Sequence, residues 1–176
     1  ASVVIPYYFL SNSTGPGERG VGDVTLRGGR VIMPEGAGGF SLDGSVAAKL
    51  PTANETRGLG TGKADYGVFV GAHQRAGAVK VSLFGGYIRV GNPPGVNYDD
   101  VRIWGIGAST LFGRTSVYAS YEARSPAIPG AQGPREIGVG FLAVLSGDWS
   151  LRGYALHGLN DGGPDFGAGV GLARWF

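Results

Sequence analysis

Residues 166 to 176 read F-G-A-G-V-G-L-A-R-W-F, an alternation with a period of two that suits an extended strand and no helix. Phe166, Ala168, Val170, Leu172, Arg174 and Phe176 fall on one side of such a strand. Gly167, Gly169, Gly171, Ala173 and Trp175 fall on the other. One apolar side backed by one side of small residues predicts a strand that faces lipid outward and a crowded lumen inward. A strand at a chain end leaves an unpaired edge, which invites aggregation unless the sheet closes on itself. The pattern therefore predicts a closed barrel whose last strand pairs with its first.

The same alternation recurs along the chain and predicts about ten strands. They run near Ser2 to Leu10, Val21 to Met33, Phe40 to Leu50, Ala64 to Arg75, Ala78 to Val90, Asp99 to Phe112, Thr115 to Arg124, Glu136 to Ser146, Trp149 to Leu159 and Asp165 to Phe176. Each approaches the roughly 9 to 11 residues that cross a bilayer at a tilt. Long connections at Ser11 to Gly20, Pro51 to Lys63, Gly91 to Tyr98, Ser125 to Arg135 and Asn160 to Pro164 alternate with short turns around Gly36, Ala76, Gly113 and Gly147. Trp149, Trp175, Phe112, Phe176 and Phe40 fall near the short-turn ends; Phe9, Tyr66, Tyr87, Tyr98, Tyr121 and Phe166 fall near the long-loop ends. Two aromatic belts suit the two interfaces of a bilayer. The expected fold is all-β: one domain over residues 1–176, a transmembrane antiparallel up-and-down β-barrel with long loops extracellular and short turns and both termini periplasmic. A soluble barrel or sandwich shares the short strands and Gly-rich turns, and alternation alone does not separate the two.

Composition narrows the function classes. The chain has 35 glycines and 10 prolines without a G-x-y period, which excludes collagen. No apolar run approaches the ~18 residues of a membrane-spanning helix. With no cysteine, disulfides, thiol catalysis and Cys-rich metal sites are excluded. A net charge of +2 with scattered basic residues gives no stripe suited to nucleic acid. The chain starts at Ala1 without a basic, apolar leader, as expected of an exported protein after processing.

Two resemblances follow from quoted residues. The terminal strand ending on Phe176 resembles the C-terminal signature of bacterial outer-membrane barrels. G-V-G-D-V-T-L at Gly20 to Leu26, K-L-P-T-A-N at Lys49 to Asn54 and G-L-G-T-G-K-A-D at Gly58 to Asp65 resemble the outer-membrane proteins encoded with phenol and toluene meta-cleavage pathways. That family is described as transporting aromatic compounds, so the resemblance implies passage of such solutes. On the residues alone, Gly58, Gly60 and Gly62 suit a tight loop, and strand alternation from Asp65 argues against a phosphate cradle, which needs a following helix.

The expected faces send Asp23, Arg27, Asp43, Lys49, Asp65, Lys80, Arg102, Glu122, Arg124, Glu136 and Arg152 into the lumen. Pairing offsets the cost of enclosing charge, and Arg27–Asp43, Lys49–Asp65 and Arg124–Glu136 are the expected partners. Arg27, Lys80 and Arg152 lie nearer the short turns with only Asp43 opposing them, a section that favours anions. Gly138, Gly140, Gly167, Gly169 and Gly171 either relieve crowding where the wall bends or leave a gap in it.

The expected function is passive passage of small molecules, hydrophobic or aromatic ones by resemblance, through a monomeric barrel that meets outer-membrane lipid and lipopolysaccharide. Neither cofactor nor metal is expected, and no enzyme activity. Two alternatives stand beside it: a structural or loop-mediated binding barrel with a salt-bridged, closed lumen, and an outer-membrane hydrolase. For the latter, His157 has Asp161 and Asp165 in the next loop, whereas His73 sits near a short turn and Ser125 lacks a nucleophile signature.

Overall fold

A computed structural model describes residues 1–10 and 17–174. The strands are β1 (Ser2–Val4), β2 (Tyr7–Leu10), β3 (Glu18–Val21), β4 (Val24–Met33), β5 (Phe40–Leu50), β6 (Asp65–Ala76), β7 (Val79–Arg89), β8 (Val101–Phe112), β9 (Thr115–Arg124), β10 (Arg135–Val144), β11 (Trp149–Gly158) and β12 (Phe166–Arg174). One turn of 3-10 helix, Glu55–Arg57, interrupts the connection from β5 to β6. Ten strands form one antiparallel up-and-down sheet in the order β1-β4-β5-β6-β7-β8-β9-β10-β11-β12, curled as a half-barrel. β2 and β3 form a separate two-stranded sheet.

Two features differ from the sequence expectation. The first two expected strands are each broken in two: the first at Pro6, which has no N–H for a ladder, and the second at Gly22 and Asp23. The Pro6 carbonyl accepts from the Gly22 N–H at 2.8 Å, which ties the two breaks together. The curl also stops short of the expected closure: among the described residues no ladder joins β1 to β12. β1 is three residues long and β12 nine. Trp175 and Phe176, expected in the last strand, lie outside the described residues.

Short turns have the local chemistry expected of hairpins. Gly77 (φ 61°) and Gly113 (φ 59°) each occupy the first central position of a two-residue turn, where a positive φ is needed and a side chain is strained. The long connections 51–64, 90–100, 125–134 and 159–165 all leave the opposite end of the sheet.

Register defines two faces. One carries Val46, Val68, Val70, Leu83, Trp104, Ile106, Ile137, Val139, Val170 and Leu172, all exposed. The other carries Asp43, Lys49, Asp65, His73, Lys80, Glu122, Arg124, Glu136 and Arg152. Among the described residues nothing covers the apolar face. The accessible surface of the chain as a whole is 11388 Å², against about 8,000 Å² for a compact monomer of this mass. Among the described residues only Leu59 and Ala123 are buried hydrophobic residues.

Candidate functional site

The polar face is layered from the long-loop end to the short-turn end. At the first level Lys49, next to last in β5, stands opposite Asp65, first in β6. Its Nζ lies 2.7 Å from Asp65 Oδ2 and 3.5 Å from Asp23 Oδ2, and donates to Thr61 Oγ1 at 3.0 Å. Asp23 is buried, and its Oδ1 accepts from the Ala53 N–H at 3.0 Å. Asn54 Oδ1 accepts from the Arg57 N–H and caps the short helical turn. Leu59 packs where a Cβ on Gly20 would stand, and Arg57 binds Glu18 at 2.6 Å. The segments 20–26, 49–54 and 58–65 thus meet in one knot at the ends of β4, β5 and β6.

At the second level Arg27 lies over the Phe69 ring, 4.8 Å from its centroid, and donates to Ser45 Oγ at 3.2 and 3.0 Å. The expected Arg27–Asp43 pair does not form. Arg27 is opposite Ala47 while Asp43 is opposite Val31, so the two sit at different levels of the β4–β5 ladder.

At the third level Asp43 Oδ2 holds His73 Nε2, and His73 Nδ1 lies 2.7 Å from Ser82 Oγ. His73 is directly opposite Ser82, and Asp43 is opposite Gly71, diagonal to the ring. A Cβ on Gly71 would stand 2.8 Å from Asp43 Oδ2 and 3.0 Å from His73 Nε2, so the pair needs a glycine there. At the fourth level Arg75 Nε donates to Glu35 Oε1 at 2.6 Å, with Lys80 opposite Arg75. The Arg75 hydrogen bond holds the Glu35 carboxyl below the ordinary glutamate value, helped by the charges of Arg75 and Lys80.

A second group lies across β9 and β10. Glu122 and Glu136 are register partners, and Arg124 bridges these like charges, 2.6 Å from Glu122 Oε1 and 3.4 Å from Glu136 Oε2. The Lys49–Asp65 and Arg124–Glu136 pairs are present as expected. Arg152 also shares the polar face, beside Gly171.

Three expectations require correction. Arg102 is opposite Tyr87 and in phase with Trp104 and Ile106, which puts it on the apolar face. The gap considered as an alternative along the glycine wall is largely filled: Tyr118 covers Gly140, Leu156 covers Gly167, Tyr154 covers Gly169 and Arg152 borders Gly171. Only Gly138 has neighbours at ordinary contact distance, and β11 lies between the two glycine-bearing strands. His157 lies on the apolar face, and its Nδ1 bonds the Asp165 carbonyl at 2.8 Å rather than a carboxylate.

The sequence reading set His73 aside and missed Ser82, Arg75 and Glu35. His73 and Arg75 are in phase with Asp65 along β6, so the alternation already placed them on the polar face. A nucleophile, a base and an orienting carboxylate stand together at Ser82, His73 and Asp43, the order of parts in a serine hydrolase. β5, β6 and β7 are each paired on both sides, so their amide N–H groups are taken up in ladders and none is left to hold an oxyanion. The cluster is therefore equipped to hold and move a proton. Among the described residues no three acidic or histidine side chains gather to hold a metal.

No protein-family model matches the chain, and no curated protein matches it. The resemblance to the aromatic-compound transporters rests on the three segments that form the knot.

Proposed function

We propose that this sheet is the wall of a bacterial outer-membrane β-barrel and that its polar face lines a narrow path for passive passage of small molecules. The observation that carries this reading is where arginines sit on the apolar face. Arg89 ends β7, Arg102 is second in β8, Arg135 begins β10 and Arg174 ends β12; Arg30 is three residues from the end of β4. The middle of that face holds Val68, Val70, Leu83, Ile106, Val139 and Val170 instead. Charge on a lipid-facing strand costs about 2–4 kcal/mol at the bilayer midplane and little near the interfaces. A face turned toward water has no reason to keep its centre free of charge.

Aromatic residues follow the same division. Trp104 and Tyr121 pack at 5.5 Å between ring centroids toward the long-loop end, and Arg174 lies over Trp149 at 5.7 Å toward the other. Arg89, Arg102 and Arg135 then suit the phosphates of lipopolysaccharide, with the long loops outside the cell and both termini periplasmic. In lipid an open sheet edge leaves each backbone group unsatisfied at several kcal/mol, so the free edges of β1 and β12 close into a seam. The solute is small and, by resemblance, hydrophobic or aromatic. No energy coupling is invoked.

The test is solute flux into liposomes carrying the folded protein, compared with protein-free liposomes. Flux that falls on replacing polar-face residues supports the proposal; no flux above the blank rejects it. A second reading has its own observation: Lys49, Arg75 and Arg124 each meet a carboxylate within 2.7 Å, which suits a salt-bridged, closed lumen acting structurally or through its loops.

A further inference from the structure

We infer that Asp43, His73 and Ser82 form a proton-operated selectivity element on the polar face, which raises the preference for small anions when His73 takes up a proton. The inference deepens the channel reading and rests on it.

Neutral imidazole has one donor nitrogen and one acceptor nitrogen, while an ionised carboxylate only accepts. Asp43 sits on Nε2, so the single ring proton belongs there, and Nδ1 accepts from the Ser82 hydroxyl. In this state Asp43 contributes one negative charge to its level, and the Ser82 hydrogen is tied to the ring. A proton taken from solution onto Nδ1 makes the ring a donor on both sides. The negative charge of Asp43 is then balanced, Ser82 Oγ becomes the acceptor, and its hydrogen turns away from the ring as a donor to a passing solute. No bond between heavy atoms is made or broken. Imidazole is the side chain that ordinarily changes charge between about pH 5 and 8.

The surroundings turn that proton into selectivity. Toward the long-loop end, β4 presents Arg27, bonded to the neutral Ser45, and beyond it lies the Asp23–Lys49–Asp65 group. Toward the short-turn end, β6 presents Arg75, held by Glu35 from the connection 34–39, and β7 presents Lys80. β8 presents Gly107 and Ser109 on this face, neither of them charged. The Asp43 carboxylate is thus the acidic group between Arg27 and Lys80, and cancelling it leaves the band more positive. Access is provided by the register row that continues from Ser82 through Gly107, Ser120 and Gly138, all small. A charge in a narrow low-dielectric section acts far more strongly on an ion than it does in bulk water.

The experiment is the reversal potential of planar bilayers under a KCl gradient between pH 8.5 and 4.5, for the wild type, His73→Gln, Asp43→Asn and Ser82→Ala. ¹⁵N-histidine NMR of the same proteins in micelles, in a His157→Asn background, reads the His73 tautomer. We expect chloride preference to rise several-fold on acidification in the wild type and to lose this dependence in His73→Gln. Asp43→Asn is expected to show the raised chloride preference already at pH 8.5. Ser82→Ala is expected to keep the charge response and to lose the Nδ1 hydrogen bond in the spectrum. Current with pH-independent selectivity overturns the inference and leaves the channel standing. An Nδ1–H tautomer at high pH overturns it whatever the current. No current from a preparation whose spectrum shows the cluster intact sinks both the inference and the channel.

Discussion

Lys49 Nζ and Asp65 Oδ2, on neighbouring strands and 2.7 Å apart, tie the end of β5 to the start of β6 under the longest described loop. Asp23 shares the ammonium from β4, so a single cation joins three strands and compensates two carboxylates of low exposure. Lys49→Glu places a third carboxylate there and is expected to lower the urea midpoint of the micelle-bound protein. Adding Asp65→Lys is expected to restore much of the loss, with a coupling term of about 0.5–3 kcal/mol. Additive effects mean that the two residues do not meet in the folded protein.

Gly169 and Tyr154 interlock across β11 and β12, and every near neighbour of a Cβ on Gly169 belongs to the tyrosine side chain. Gly169→Val is expected to cost about 1–3 kcal/mol by overpacking. Tyr154→Ala in the same chain removes the obstacle, so the double variant is expected to be more stable than Gly169→Val alone. Equal stability of the two shows that the tyrosine does not lie over the glycine.

Asp100, just before β8, accepts from the Tyr87 hydroxyl and, at 3.0 Å, from the Val90 N–H. These bonds, the tyrosine's first, hold its carboxyl below the ordinary aspartate value. A carboxyl lowered on folding stabilises the folded state above its unfolded value, about pH 4, and loses that contribution as pH falls through the folded one. The connection 90–100 is therefore expected to open to protease in acid before the sheet does. Asp100→Asn is expected to show the opened pattern already at neutral pH. Identical cleavage of both proteins at pH 7 contradicts the assignment.

Trp104 and Trp149 are both exposed on the apolar face, near opposite ends of the sheet. In brominated-lipid vesicles both are expected to be quenched more by bromine near the headgroups than by bromine at the chain ends. A Val139→Trp probe, in a background with every native tryptophan replaced by Phe, is expected to show the reverse order. Emission unchanged by any brominated lipid contradicts insertion.

Strand positions were legible because alternation reports local geometry, and most of the polar face follows from phase alone. Arg102 failed because a charge was sent inward, whereas along β8 it is in phase with Trp104 and Ile106 and stands opposite Tyr87. Arg27 failed for another reason: which residue a strand neighbour meets depends on register, and β4 carries a shift between Val31 and Met33. Asp43, His73 and Ser82 come from three strands, and their meeting depends on two registers and on Gly71 lacking a side chain. No local pattern contains that information. Of the two readings of the glycine wall, relief of crowding fits and the gap does not, because cross-strand Tyr118, Leu156, Tyr154 and Arg152 occupy the space the glycines leave.

The order of the sheet has a kinetic consequence. From β5 to β12 each strand pairs only with its neighbours in the chain. Every such ladder then joins segments adjacent in sequence, with only local connections to close, and the wall grows by adding neighbours from any starting point. The β1–β12 seam proposed above differs, because it joins segments at opposite ends of the described chain. Closing it is expected to carry a larger loop-closure entropy than any ladder from β5 to β12, and so to be the slowest step in becoming a tube.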